Sequence, residues 1–172
     1  MIIFGFSKPH KNNSGSSSDN KKTCDFFINW RKLTTIDDSV FPDVTRISHS
    51  MFAKATLDEE DVNKAENISL SKVTEIMPSA FAQNQSIKKV SFPNVEKIWY
   101  GAFDSCYNLQ EVYMPKLKEL QWGTIEHYSW NGYFSNCIDL QKVEMPLIPM
   151  IDENMFCSTL LQDISFPEVM QI

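Results

Sequence analysis

Residues 98–120 are Ile98-Trp-Tyr-Gly-Ala102-Phe103-Asp-Ser-Cys106-Tyr-Asn-Leu109-Gln-Glu-Val112-Tyr-Met114-Pro115-Lys-Leu117-Lys-Glu-Leu120. The phenylalanine of this stretch belongs to a series that repeats along the chain, with 22 residues as its basic interval. The members of the series are Phe52, Phe81, Phe103, Phe134 and Phe156. An isoleucine lies five positions before each of them except Phe134. A fixed period of this size is typical of a solenoid, in which each coil buries its apolar side chains only against its neighbours.

Each unit also carries a strand pattern. In Val90-Ser91-Phe92 and in Val112-Tyr113-Met114, two apolar residues flank a more polar one, which is the period of a strand. The proline that follows each of these segments ends the strand, because it lacks the N–H group that a ladder needs. We therefore predict one short strand per unit and a short helical turn around each repeat phenylalanine.

Charges support this alignment. When one position of the repeat is followed through successive units, its residues form a row of charges. One such row is Arg46, Glu75, Lys97 and Glu119, and a second is Lys89, Glu111, Lys142 and Asp163. In a stacked parallel sheet the members of a row are neighbours a little under about 5 Å apart. The sign alternates along both rows, so like charges do not meet. The rows predict that successive units stack in register.

The repeat divides the chain into three parts. We predict a flexible N-terminal arm over residues 1–22, an N-terminal cap over 23–40 and the solenoid over 41–172. Two intervals between phenylalanines are longer than the rest, which places insertions near residues 53–67 and 121–132. The arm carries an apolar tip on a polar tether, so it is either a frayed terminus or a strand donor to an exposed sheet edge.

Composition limits the function. The formal net charge is −6, and residues 1–22 contribute +3 to it, so the rest of the chain carries −9. An acidic body argues against nucleic-acid binding, which needs clustered Lys and Arg. No stretch reaches the roughly 18 apolar residues of a membrane span, and the first residues do not form a signal-peptide core. The sequence favours a cytoplasmic or assembly-associated location over classical secretion.

No motif for catalysis, metal binding or a cofactor is present. The four cysteines form no CxxC pair, and the three histidines have no metal-ligand spacing. Cys106 and Cys137 each lie three residues after a repeat phenylalanine, so we predict small buried thiols at equivalent places in neighbouring coils. A disulfide or a metal site is the alternative. We expect a protein that is not an enzyme and that has no cofactor.

Two surfaces are candidate binding sites. The first, the aromatic flank, combines residues that follow the strand isoleucine with residues of the second insertion: Trp99, Tyr100, Trp122, His127, Tyr128 and Trp130. Trp and Tyr are enriched in binding hot spots and also stack on sugars. The alternative is that the insertion folds back and these rings cover the solenoid itself.

The second candidate is the exposed strand face. Its residues alternate with the buried ones along the predicted strands: Lys89, Glu111, Tyr113, Lys142 and Glu144. Repeat proteins often bind partners on such an extended surface. The alternative is a solvent-exposed face whose charges neutralise one another.

The units quoted above resemble the BspA-like (Treponema-type) leucine-rich repeats. That pattern combines strand leucines, a proline, an isoleucine, an Ala-Phe pair and a cysteine three residues later, as in Ala102-Phe103 and Cys106 here. The resemblance covers residues 36–172 and implies an α/β solenoid, a leucine-rich-repeat stack with a parallel β-sheet and short helical or 3-10 turns. It also implies a binding role, since family members are commonly surface or secreted proteins that bind host proteins or other cells.

The chain departs from the family pattern in its two insertions, in the lack of an export signal and in stopping at Ile172 within a unit. A solenoid end needs a polar cap, so we expect another copy of the chain or an assembly neighbour to cover this end. The predicted function is a non-enzymatic protein-binding or scaffolding module. The alternatives are a structural component of a larger assembly, such as a virion or surface complex, anchored by the arm, and a glycan-binding adhesin.

Overall fold

The computed structural model describes residues 33–53, 64–122, 132–152, 154–161 and 166–167. Within these ranges the chain forms nine short strands and no α-helix or 3-10 helix. In chain order the strands are β1 Thr35–Ile36, β2 Arg46–Ile47, β3 Asn67–Ser69, β4 Glu75–Ile76, β5 Lys89–Ser91, β6 Lys97–Trp99, β7 Glu111–Tyr113, β8 Glu119–Gln121 and β9 Lys142–Glu144.

The strands build two parallel sheets, where the resemblance implied one. The first sheet has the order β1-β3-β5-β7-β9, and the second has the order β2-β4-β6-β8. Each coil adds one strand to each sheet, so strands two apart in the chain become neighbours. The strand prediction around Val90 and Val112 is confirmed, because these residues lie in register on β5 and β7. The coils therefore stack as a leucine-rich-repeat solenoid.

The segment around each repeat phenylalanine is a series of turns, and the predicted helical turn is absent there. The N–H of Ala82 donates to the Ser79 carbonyl of its own coil, whereas the N–H of Phe81 donates to the Ala102 carbonyl of the next coil at 2.7 Å. An α-helix would keep all these bonds within one coil. Ser79 and Gln83, which flank Phe81 on either side, have positive φ values of 54° and 59°. Backbone hydrogen bonds that alternate between the same coil and the next coil therefore take the place of a helix.

The repeat phenylalanines form one continuous stack inside the solenoid, as the period predicts. Neighbouring rings lie nearly parallel, at angles of 4–12°, with centroids 4.6–5.5 Å apart from Phe52 to Phe156. The first four rings are fully buried. Phe41 packs edge-on against Phe52 at one end of the stack, and Phe166 stacks on Phe156 at the other, 5.9 Å away.

A ladder of polar side chains runs beside the stack. Three residues after Phe81, Phe103 and Phe134, a buried side chain donates to the phenylalanine carbonyl of the preceding coil: Asn84 Nδ2 to Phe52 at 2.7 Å, Cys106 Sγ to Phe81 at 3.0 Å and Cys137 Sγ to Phe103 at 3.2 Å. Both thiols are free and buried, as predicted. Burial raises the pKa of the Cys106 thiol, and the neighbouring Cys137 raises it further.

The charge rows predicted from the sequence are confirmed where the residues are described. Arg46 pairs with Glu75 at 2.8 Å and Lys97 with Glu119 at 3.0 Å across the second sheet, and Lys89 pairs with Glu111 at 2.7 Å across the first. Further rows pair Glu66 with Lys88, Glu96 with Lys118 and Asp43 with Lys72. Each exposed pair contributes only about 0.2–1 kcal/mol, so their joint effect is to favour one register.

Several predictions concern residues outside the described ranges. These are the arm over 1–22, most of the cap over 23–40, most of both insertions and Asp163. Strand β1 lies within the range assigned to the cap and pairs with β3. The hypotheses that the arm anchors an assembly or that another chain covers the last coil stay predictions.

The stack gives a first test of the fold. Phe103→Ala removes a fully buried ring that stacks on Phe81 and on Phe134. We expect the free energy of unfolding, measured by urea denaturation, to fall by about 3–5 kcal/mol. Tyr113→Ala, which removes a ring that is 39% exposed, is the control and is expected to cost less than about 1 kcal/mol. Equal losses in the two variants would contradict the central role of the stack.

A second test uses the glycines. A Cβ at Gly132 would overlap the backbone carbonyl of Asn154 in the next coil, whereas a Cβ at Gly101 would meet only the Ser79 hydroxyl at 3.7 Å. Gly132→Ala is expected to lower the free energy of unfolding by about 2–3 kcal/mol, because the coils cannot approach. Gly101→Ala is expected to cost about 1 kcal/mol, from its φ of 61° alone. Urea denaturation of both variants checks the order, and the reverse order would contradict the coil spacing.

Candidate functional site

The first sheet presents two columns of side chains on its outer face. In β3, β5 and β7 the central residue is buried and the residues on either side point outward. Because the strands are in register, these outward residues align from coil to coil. The first column is Asn67, Lys89, Glu111 and Lys142, and the second is Ser69, Ser91, Tyr113 and Glu144.

These columns line an open groove of about 230 Å³, here called the strand-face groove. All eight column residues line it, together with Ile68, Val90 and Val112 between them. The structure thus brings together all five strand-face residues singled out from the sequence. Asn67 and Ser69 were missed, although they lie 22 residues before Lys89 and Ser91 and could have been found by extending the alignment one unit toward the N-terminus.

The charges of the groove are partly paired. Lys89 Nζ lies 2.7 Å from Glu111 Oε1. The hydrogen bond from Lys89 lowers the pKa of the Glu111 carboxyl, and the positive charges of Lys89 and Lys142 add to this effect. Glu111 is therefore ionised at neutral pH. Among the described residues, neither Lys142 nor Glu144 forms an ion pair.

Tyr113 is the single aromatic residue of the two columns. It lies between Ser91 and Glu144 in the second column, and 39% of its surface is exposed. An exposed ring beside hydroxyl and carboxylate groups offers an apolar contact and directional polar contacts in one place. This combination is suited to binding and has no arrangement of nucleophile and base.

The described members of the aromatic flank, Trp99, Tyr100 and Trp122, lie on or directly after strands of the second sheet. Trp99 is on β6, and its Nε1 donates to Glu75 Oε1 at 2.9 Å, so Glu75 fixes the orientation of the indole. Trp122 is 54% exposed and packs edge-on against Tyr133, with 5.9 Å between the ring centroids. Tyr100 is half-buried, and its backbone N–H bonds to the next coil. The described members of the flank therefore already contact the solenoid.

The other members of the aromatic flank, His127, Tyr128 and Trp130, lie outside the described ranges. A ligand site that combines all six residues stays a prediction, as does the glycan-binding alternative that depends on it. Sequence reasoning did not single out Tyr133 as a functional residue; it precedes Phe134 where the other units have Ala or Met, and it is fully buried. Its hydroxyl has no hydrogen-bond partner among the described residues, and burial followed by the charge of Asp152 raises its pKa.

The described ranges contain neither a metal-binding cluster nor a membrane-spanning helix. No group of three or more His, Cys, Asp or Glu side chains there is arranged to hold a metal ion. These ranges contain no helix, and therefore none that is long and apolar enough to cross a membrane. The strand-face groove is therefore the site that the described geometry defines best.

Comparison with known proteins identifies the repeat. The family model described as "BspA type Leucine rich repeat region" matches residues 45–172 in six copies. A solved structure, a leucine rich cell surface protein from Faecalibacterium prausnitzii A2-165, is similar with 19% sequence identity and a TM-score of 0.47. The match covers 81% of this chain and 43% of that one, so this chain spans less than half the length of that protein. No curated protein matches.

The ion pair in the groove gives a third test. Lys89→Met removes the hydrogen bond to Glu111, so the pKa of the Glu111 carboxyl should rise toward its ordinary value in a ¹³C NMR titration. Lys118→Met is the control, because Lys118 pairs with Glu96 instead. An unchanged Glu111 pKa in the Lys89 variant would contradict the pairing.

The same ion pair has a consequence for stability. The pKa of Glu111 is lower in the folded state than in the unfolded chain. The pair therefore stabilises the fold above the unfolded value of about 4.3, and this contribution is lost as the pH falls through the folded value.

Proposed function

Because this chain belongs to the BspA-type leucine-rich repeat family, we propose that it is a protein-binding module whose ligand surface is the strand-face groove. The observation that carries the proposal is the groove itself, which assembles side chains from four successive coils on the outer face of the first sheet. Extended surfaces built in this way are the usual binding surfaces of repeat proteins.

The sheet supports this role by holding the groove residues on rigid elements. Neighbouring coils are joined by backbone hydrogen bonds along the columns, including those from Phe92 N–H to the Tyr113 carbonyl at 2.9 Å and from Met114 N–H to the Glu144 carbonyl at 2.9 Å. Side chains on such strands lose little further freedom when a partner binds. Preorganisation of this kind raises affinity without additional contacts.

The shape and chemistry of the groove favour a polypeptide over a small molecule. Its volume of about 230 Å³ is below the range of about 300–1,000 Å³ that is usual for small-molecule pockets, and it is open along the sheet. Its residues offer alternating charges, hydroxyls and one aromatic ring over four strands. A peptide segment of a protein can contact several of these groups at once.

The fourth test is a selection with defined variants. A displayed library of random linear peptides would be panned on the full chain, and the affinity of enriched peptides measured by isothermal titration calorimetry. The groove variant Lys89→Ala/Tyr113→Ala/Lys142→Ala is expected to weaken binding at least about tenfold, because it removes central contacts. The control variant Lys97→Ala/Tyr100→Ala/Lys118→Ala removes the same residue types outside the groove and should bind as the unmodified chain does.

Three results of this selection would contradict the proposed function. The first is a set of peptides that bind the groove variant with unchanged affinity. The second is loss of binding in the control variant alone, which would move the ligand surface to the second sheet and the aromatic flank. The third is failure to enrich any peptide over an unrelated immobilised protein. Circular dichroism of both variants checks that they are folded.

A further inference from the structure

Within the proposed ligand surface, we propose that Tyr113 and Glu144 form a subsite for a positively charged side chain of the partner, specifically an arginine. This inference rests on the proposed function and adds the chemistry of the ligand to it. The two residues are register partners on β7 and β9, and both line the strand-face groove. Neighbouring strands are about 4.8 Å apart, so one planar group can contact both side chains.

The charges of the groove identify Glu144 as the group in need of a cation. Lys89 and Glu111 pair with each other at 2.7 Å. Lys142 is the register partner of Glu111 and interacts with its charge. Glu144 is exposed, and no Lys or Arg of the described ranges lies within ion-pair distance of it. The second column thus has one carboxylate and no basic residue.

The column around Glu144 suits a guanidinium group in particular. A carboxylate accepts two parallel hydrogen bonds from arginine, and the face of a tyrosine ring attracts the same cation. Tyr113 is 39% exposed, and on its other side lies Ser91, whose hydroxyl can accept a further N–H bond. A lysine ammonium would satisfy Glu144 but would not stack as a plane on the ring.

The net charge of the whole chain also favours a positively charged ligand. The chain has a formal net charge of −6, so it attracts cationic partners over a distance. Lys142, two residues before Glu144 on β9, opposes a cation placed between them, and this directs the guanidinium toward Tyr113. An anionic side chain at this place would meet the carboxylate of Glu144 at close range.

The fifth test uses a pair of small probes that differ in charge and not in shape. Acetyl-glycyl-arginyl-glycine amide and its citrulline analogue would be titrated into the ¹⁵N-labelled full chain at low salt, with binding followed by NMR chemical shifts. The arginine probe is expected to bind with a Kd of about 1–10 mM and to shift the amides of 111–113 and 142–144. The citrulline probe should not bind, and the corresponding lysine peptide, added as a third probe of equal charge, should bind more weakly than the arginine probe.

Matched variants separate the two side chains from general electrostatics. Glu144→Gln is expected to raise the Kd of the arginine probe at least about fivefold, while Asp43→Asn, the same charge change on an exposed aspartate away from the groove, should leave it unchanged. Tyr113→Phe should keep the affinity, because the ring supplies the contact, and Tyr113→Leu should lower it about threefold.

Several outcomes would overturn the subsite. They are equal binding of the citrulline probe, an unchanged Kd in Glu144→Gln, equal loss in Asp43→Asn, and shifts that centre on another face. If these occur while library peptides still lose affinity for the groove variant, the subsite is wrong and the proposed function stands. If the groove variant also fails to weaken peptide binding, both are wrong.

Discussion

The structure depends on hydrogen bonds that join each coil to the next in one register. On the first sheet, the N–H of Leu70 donates to the Ser91 carbonyl, and in the turn segment the N–H of Phe81 donates to the Ala102 carbonyl. Such bonds occur in both sheets and in the turn segment, so a shift of one coil by one residue would break all of them together. The register turns each position of the repeat into a column of neighbours with a shared environment.

Each column then has a physical requirement of its own. The column of repeat phenylalanines needs flat apolar rings that stack, and the ladder beside it needs a short side chain that can donate to a buried carbonyl. Asn84, Cys106 and Cys137 all satisfy the ladder, since an amide N–H and a thiol S–H reach the same kind of acceptor. The requirement is for a donor of the right length, and two different residue types therefore occupy one column.

Much of this arrangement can be predicted from the sequence, because a column appears there as a period. The ring stack, the strands of the first sheet, the buried thiols and the charge rows all follow from aligning equivalent positions of successive units, which are 22 residues apart except where an insertion lengthens the interval. The alignment places the row Arg46, Glu75, Lys97, Glu119, which lies on the second sheet, but it does not show that these positions are strands. A strand of two residues such as β2 or β4 has no alternation to detect. The sequence around Phe81 predicts a helical turn because short i to i+3 spacings suit both a helix and a series of turns, and only the hydrogen bonds to carbonyls of the next coil distinguish the two.

The groove was predictable in its residues and not in its shape. Its members follow from strand alternation, whereas its shape depends on how four strands from successive coils are placed side by side, which no single unit encodes. The buried columns repeat because packing demands it, but the outer columns are under no such demand and are free to vary. The second column has small hydroxyls at Ser69 and Ser91 and then changes to Tyr113 and Glu144. A repeat fold gives every coil the same scaffold, so specificity for a partner has to come from the places where the outer columns stop repeating.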